Sequence, residues 1–186
     1  MEKYISLIGL PLVVLLIGLW FIKSSNRLNR YLVKIEESKK NLDIALAKRY
    51  DTICEMAKVA KSFAKHEKTT LLDVIKLRQE TDLQSLGKAI KDQNQAIDHI
   101  YALAEAYPDL KSSQEFLRLQ EEIDDENEQL AAAKRIVNSN ISLINQEIVS
   151  FPRSLVAKVK GVGKIDFLQE EDLTGKKSIH DFNYDL

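Results

Sequence analysis

"LNRYLVKIEESKKNLDIALAKRYDTICEMAKVAKSF" (Leu28–Phe63) holds neither glycine nor proline, and its apolar residues return at alternating intervals of four and three. Leu28, Leu32, Ile35, Lys39, Leu42, Leu46, Arg49, Ile53, Met56, Ala60 and Phe63 mark the stripe; all but Lys39 and Arg49 are apolar. A 3.5-residue period keeps one seam facing a partner helix, as in a coiled coil, and implies left-handed, low-angle packing. With no breaker from Lys23 to Lys65, the stretch predicts one helix of about 55 to 60 Å.

Two further stretches repeat the pattern. Leu86, Ile90, Gln93, Ile97, Ile100 and Ala104 form one stripe. Phe116, Leu119, Ile123, Glu126, Leu130, Ala133, Val137, Asn140, Ile144 and Glu147 form another. Thr70 with Asp73 reads as a capping box that starts the second helix near Leu71, and Glu80 to Gly87 reads as a kink or a turn. Between the second and third stripes lies "AYPDLKSSQEF" (Ala106–Phe116). Pro108 disfavours helix at Tyr107, and Ser112 with Glu115 resembles a capping box. The expected fold is all-α, an extended antiparallel helical bundle of three long helices and a short fourth.

At the N-terminus, "YISLIGLPLVVLLIGLWFI" (Tyr4–Ile22) carries no charge. As a helix it spans about 28 Å, close to the roughly 30 Å hydrocarbon core of a bilayer. Tyr4 at one end, and Trp20 with Lys23 at the other, suit the two interfaces. The run ends without a small-residue cleavage site, which favours an uncleaved anchor over a signal peptide. Lys23, Arg27, Arg30 and Lys34 outweigh Lys3, so the positive-inside bias places the C-terminal domain in the cytoplasm, at the cell membrane. The expected organisation is a short flank (1–3), a transmembrane helix (4–22), a helical bundle domain (23–168) and an acidic tail (169–186) expected to be disordered.

Charged residues make up 30% of the chain, yet the net charge is −1, which removes any global electrostatic argument for nucleic acid. Cys54 is the only cysteine, so no intrachain disulfide forms. A thiol nucleophile there would need a base and an open site, and no such signature surrounds it. The acidic run "EEIDDENE" (Glu121–Glu128) lacks the central glycine of a calcium loop. No Glu-x-x-His pair supports a di-iron site. "KGVGK" (Lys160–Lys164) has Lys158 and Ile165 where a phosphate loop needs Gly and Ser or Thr. No catalytic motif and no cofactor emerge, and the chain reads as a non-enzyme.

"LDIALAKRYDTICEMAKVAKSFAKHEKTTL" (Leu42–Leu71) resembles the first-helix pattern of the LemA family, at Leu42, Asp43, Leu46, Arg49, Tyr50, Asp51, Ile53, His66 and Glu67. "AEAYPDLKSSQEFLRLQEEI" (Ala104–Ile123) is similar to that family's most recognisable signature, at Glu105, Ala106, Tyr107, Pro108, Asp109, Leu110, Lys111, Phe116, Leu119 and Gln120. Asn138, Asn145 and Phe151-Pro152 match later family positions. The chain departs at Ile53-Cys54-Glu55, where the family usually has Ile-Pro-Asn, and at Val137 and Ile144, where aromatics are common. The resemblance implies a single-pass membrane protein with an extended helical bundle. It implies no reaction or cofactor, and it suggests a membrane zinc protease as one partner.

Three groups of residues stand as candidates. Tyr107, Pro108, Asp109, Leu110 and Lys111 form a candidate interaction corner. Lys39, Arg49 and Glu126 are polar seam residues that could set helix register, Arg49 with Glu126 above all. "FPRSLVAKVKGVGK" (Phe151–Lys164) is basic and amphipathic, a composition that suits anionic lipid. An up-down-up course of the helices, however, puts it about 55 to 60 Å from the anchor and puts the corner at the membrane-facing end. A full reversal at Glu80 to Gly87 would invert both placements. The leading functional expectation is a membrane-anchored scaffold or protein-interaction module. Two alternatives stay open: a metal-binding or enzymatic bundle using the polar seam, and a self-assembling membrane organiser.

Overall fold

The computed structural model describes residues 2–64 and 83–168, without the side chains of residues 2–8, 10 and 84. It is all-α, with no strand among the described residues. Helix α1 is Glu2–Phe63, α2 is Leu83–Ala106, α3 is the single turn Pro108–Lys111, α4 is Gln114–Val149 and α5 is Arg153–Val159. The expected helix start near Leu71, its Thr70 cap and the acidic tail lie outside the described residues, as do residues 80–82 of the expected kink. Residues 83–87 are the helical start of α2.

The apolar run and the seam belong to one unbroken helix. Residues of α1 from Leu12 to Ile22, apart from the half-buried Phe21, stay exposed, Val14 at 62% and Ile17 at 59%. One segment of α1 is long and apolar enough to cross a membrane, and only 11% of its most apolar window is buried. From Ser24 onward the periodicity produces burial: Leu28, Ile35, Leu42, Leu46, Arg49, Ile53, Met56 and Ala60 face inward. The seam drifts by one residue at two places. Ser38 is buried where Lys39 was expected, and Ala64 where Phe63 was expected, Phe63 being 40% exposed. A straight helix of 3.6 residues per turn slips C-terminally against a strict heptad, which accounts for Ala64. At the other place the shift is N-terminal, and Ser38 is buried with its hydroxyl donating to the Ile35 carbonyl at 2.9 Å.

The chain divides into two compact units. The first comprises residues 1–44 and 129–167. In it α4 runs antiparallel to α1: the Asn140 amide donates to the Lys34 carbonyl at 3.3 Å, and Glu147 meets Arg27 at 2.8 Å. Leu130, Val137, Ile141 and Ile144 of α4 are buried in this unit, with Val156 and Ala157 of α5. Gly161, at φ +66°, closes α5, with its amide donating to the Lys158 carbonyl and the Val162 amide to that of Ala157. Those two bonds form a Schellman motif, so "KGVGK" is a helix stop. The segment beyond is pinned by Asn145, whose amide donates to the Ile165 carbonyl at 2.8 Å and accepts from the Ile165 N–H at 2.9 Å.

The second unit comprises, of the described residues, 45–64, 83–128 and Leu168. Its core joins Ile53, Met56, Ala57 and Ala60 of α1 to Ala96, Ile97, Ile100 and Ala104 of α2, Leu110 of α3, and Phe116, Leu119 and Ile123 of α4. Gln93 reaches back to the Leu46 carbonyl at 3.0 Å. Thus α2 runs in the same direction as α1, while α4, with Arg118 beside Glu55 and Glu126 beside Thr52, runs against it. The up-down-up course is therefore corrected for the described helices. The corner packs with the C-terminal end of α1, on the core that holds Ala60 and Leu110.

Candidate functional site

At the corner, Tyr107 leaves helical geometry (φ −122°, ψ 91°), as the residue before a proline must. Pro108 then opens the one-turn α3, whose Leu110 and Lys111 amides donate to the Tyr107 carbonyl. Leu110 is fully buried, and Tyr107 packs half-buried on the same core. Both therefore help to hold the corner on the core. Pro108, Asp109 and Lys111 remain exposed. The cap is corrected as well: the Phe116 N–H donates to Ser113 Oγ at 3.2 Å, so Ser113 caps α4. Ser112 sits at φ −92°, ψ −3°, outside the extended conformation an N-cap needs. The extra turn of α3 displaces the helix start by one residue and breaks the spacing that paired Ser112 with Glu115.

The polar seam of the second unit supplies two buried groups, one around Arg49 and one around Glu126. Arg49, 3% exposed, donates to Asn94 Oδ1 at 2.7 Å and to Gln93 Oε1 at 3.5 Å. Glu126, 1% exposed, accepts from Thr52 Oγ1 at 3.0 Å and lies 3.7 Å from Lys48 Nζ. Its other oxygen has no hydrogen-bond partner among the described residues. Burial pushes the Glu126 carboxyl above the ordinary carboxylate value, against the pull of Thr52 and Lys48. Sequence reading picked out Arg49 and Glu126 and missed Thr52, one position off the stripe, and Asn94. Lys39 belongs to the first unit, where it pairs with Glu36 one turn away at 2.8 Å. Most of the acidic run is solvated, with Glu121, Asp124, Asp125 and Glu128 exposed. Among the described residues no group of three or more His, Cys, Asp or Glu could hold a metal ion.

In the first unit, polar groups converge where the apolar run ends. Glu147, with its side chain 8% exposed, takes Arg27 at 2.8 Å and Arg153 at 2.6 Å. Arg27 also lies over the Tyr31 ring, 5.8 Å from its centre. Lys160 donates to Asn29 Oδ1. The basic segment therefore lies beside the start of the α1 seam, and the distance expected from an up-down-up course is corrected. Trp20, Lys23, Ser24, Arg27 and Arg153 line a cleft of about 270 Å³. A second cleft, of about 570 Å³, lies among Leu19, Ile22, Lys23, Asn26, Asn29 and Arg30. Of the expected interface residues, Trp20 and Lys23 meet here, while the Tyr4 side chain lies outside the described residues.

These features define an all-α protein in which one helix, exposed and apolar at its start, continues into packed helical units. The family model of the LemA family matches residues 38–180, and the chain belongs to that family. No curated protein matches the chain.

Proposed function

We propose that the protein is a non-enzymatic, single-pass membrane scaffold that presents helical surfaces to a protein partner at the cytoplasmic face of the cell membrane. One observation carries this reading. The apolar run is continuous with the seam helix yet unburied, whereas an apolar helix serving a soluble core would be covered. In a bilayer that exposure is satisfied by lipid, and the first turns beyond it carry Lys23, Arg27, Arg30 and Lys34, the pattern of a cytoplasmic flank. The exposed Pro108, Asp109 and Lys111, held by the buried Leu110, offer a rigid contact for a partner. The test is alkaline extraction of membranes followed by proximity labelling from the C-terminus. The full chain should stay in the membrane pellet, and a chain lacking residues 2–22 should leave it. Labelling of neighbours should fall when Asp109 and Lys111 are both replaced by Ala. Release of the full chain by alkali removes the anchor; unchanged labelling removes the corner.

The buried, half-partnered Glu126 favours a second reading, a bundle that binds a metal or acts as an enzyme through its polar seam. Stoichiometric metal in purified full-length protein, lost in Glu126→Gln, would favour it over the scaffold.

A further inference from the structure

The geometry points to a binding site for the phosphate of an anionic phospholipid in the cleft lined by Trp20, Lys23, Ser24, Arg27 and Arg153. The site rests on the reading that residues 4–22 cross the bilayer, and it adds a ligand to that reading.

Charge is the first argument. Lys23, Arg27 and Arg153 bring three cations to the cleft, and the carboxylate that meets two of them is the single charge of Glu147. The balance is a net positive cleft. Glu147 orients both guanidiniums, and Tyr31 braces Arg27 from below. Each guanidinium keeps further N–H donors for a phosphate oxygen.

An independent observation is Ser24. The residue is 6% exposed, it lines the same cleft, and among the described residues its hydroxyl has no hydrogen-bond partner. A buried hydroxyl without a partner carries a desolvation cost, which a phosphate oxygen accepting from Ser24 Oγ would relieve.

Depth decides between a lipid phosphate and a dissolved one. Ser24 and Arg27 follow Ile22 by two and five residues, or about 3 to 8 Å along the helix. Half the difference between the hydrocarbon core and the full bilayer is about 5 to 7 Å, the level of the headgroups. Trp20, one turn below Ser24 in the same cleft, has the amphipathic ring suited to that boundary. The acyl chains of a lipid held here would lie along the exposed Leu16, Ile17 and Leu19. Phe151, Leu155 and Val159 flank the basic residues of α5 and are 82%, 53% and 73% exposed, an apolar rim suited to the interface.

Trp20 is the sole tryptophan and so reports on its own lipid neighbours. Full-length protein is reconstituted into nanodiscs of phosphatidylcholine containing a minority of brominated lipid, either phosphatidylglycerol or phosphatidylcholine. Quenching of Trp20 then gives the local enrichment of each lipid. Phosphatidylglycerol should quench several-fold more effectively than phosphatidylcholine. Lys23→Gln should lower that preference by roughly five-fold, the contribution expected of one interfacial cation. Ser24→Ala, which leaves every charge in place, should lower it measurably. Lys164→Gln, a basic residue outside the cleft, should leave it unchanged, and all variants should keep wild-type helicity. Equal quenching by the two lipids overturns the site, as does a preference that either cleft substitution leaves intact. An equal loss in Lys164→Gln overturns it in favour of diffuse surface charge. Reversal of the preference by millimolar inorganic phosphate overturns the lipid as occupant. Failure of the chain to enter nanodiscs, by contrast, refutes the membrane-spanning reading itself and is scored separately.

Discussion

Replacing Ser113 by Ala, with Ser112→Ala as its partner experiment, separates two readings of how α4 begins. In the structure the Phe116 N–H donates to Ser113 Oγ at 3.2 Å, and the Phe116 side chain is fully buried in the core. The amide is part-buried, so water replaces the lost oxygen poorly. N-cap removal of this kind costs about 1 kcal/mol, within a range of about 0.5 to 2. Ser112 Oγ reaches the Asp109 carbonyl at 3.5 Å on the exposed side of the turn, a contact too long and too solvated to contribute much. For a chain of this size, 1 kcal/mol corresponds to about 2 to 4 °C in Tm. Thermal melts of the full chain in detergent, followed at 222 nm, should show that drop for Ser113→Ala and almost none for Ser112→Ala. A larger drop for Ser112→Ala would return the cap to the capping-box spacing and refute the extra turn of α3.

Leu110→Ala should destabilise the second unit by about 2 to 5 kcal/mol, as for other fully buried leucines, while Asp109→Ala stays within about 0.5 kcal/mol; comparable urea midpoints for the two would unseat Leu110 from the core. Glu126 is held above its ordinary value of 4.5, chiefly by burial, so the folded state keeps a proton that the unfolded chain has released. Stability should therefore fall as pH rises from 4.5 through the raised value, and Glu126→Gln should flatten that decline; a variant with the wild-type pH profile would count against a buried, uncompensated carboxylate. Asn145→Ala removes both hydrogen bonds to Ile165, each about 1 kcal/mol, and should speed exchange of the Ile165 amide by roughly thirty-fold. Unchanged exchange there would mean that the clamp does not hold the segment.

Much of the architecture was legible because helix periodicity is local. The spacing of Leu86, Ile90, Gln93, Ile97, Ile100 and Ala104 marks inward positions wherever the helix is placed, and every one of them is buried. Most of the stripe is buried along α1 and α4 too, where even the polar Arg49, Glu126 and Glu147 turn inward, while Lys39 and Phe63 give way to Ser38 and Ala64. Pro108 likewise announces the end of α2 through a clash between neighbouring residues. Family membership was legible for a related reason, since it rests on contiguous strings such as "AYPDLK".

Direction was not legible. A stripe shows which face is buried and says nothing of whether its partner runs up or down. The parallel course of α2 rests on Gln93 meeting Leu46 while Asn94 meets Arg49, pairs 47 and 45 residues apart in the chain. The basic segment read as remote until Arg153, Glu147 and Arg27 were found together, and the convergence of Ser24 with them has no sequence signal at all. Ser113 replaced Ser112 as the cap because backbone angles, not residue type, select between adjacent serines. Sequence thus settled the helices, their buried faces and the family. Which charges share a cleft, and which carboxylate lies buried beside Thr52, depend on contacts between distant residues, and those arise only when the chain packs.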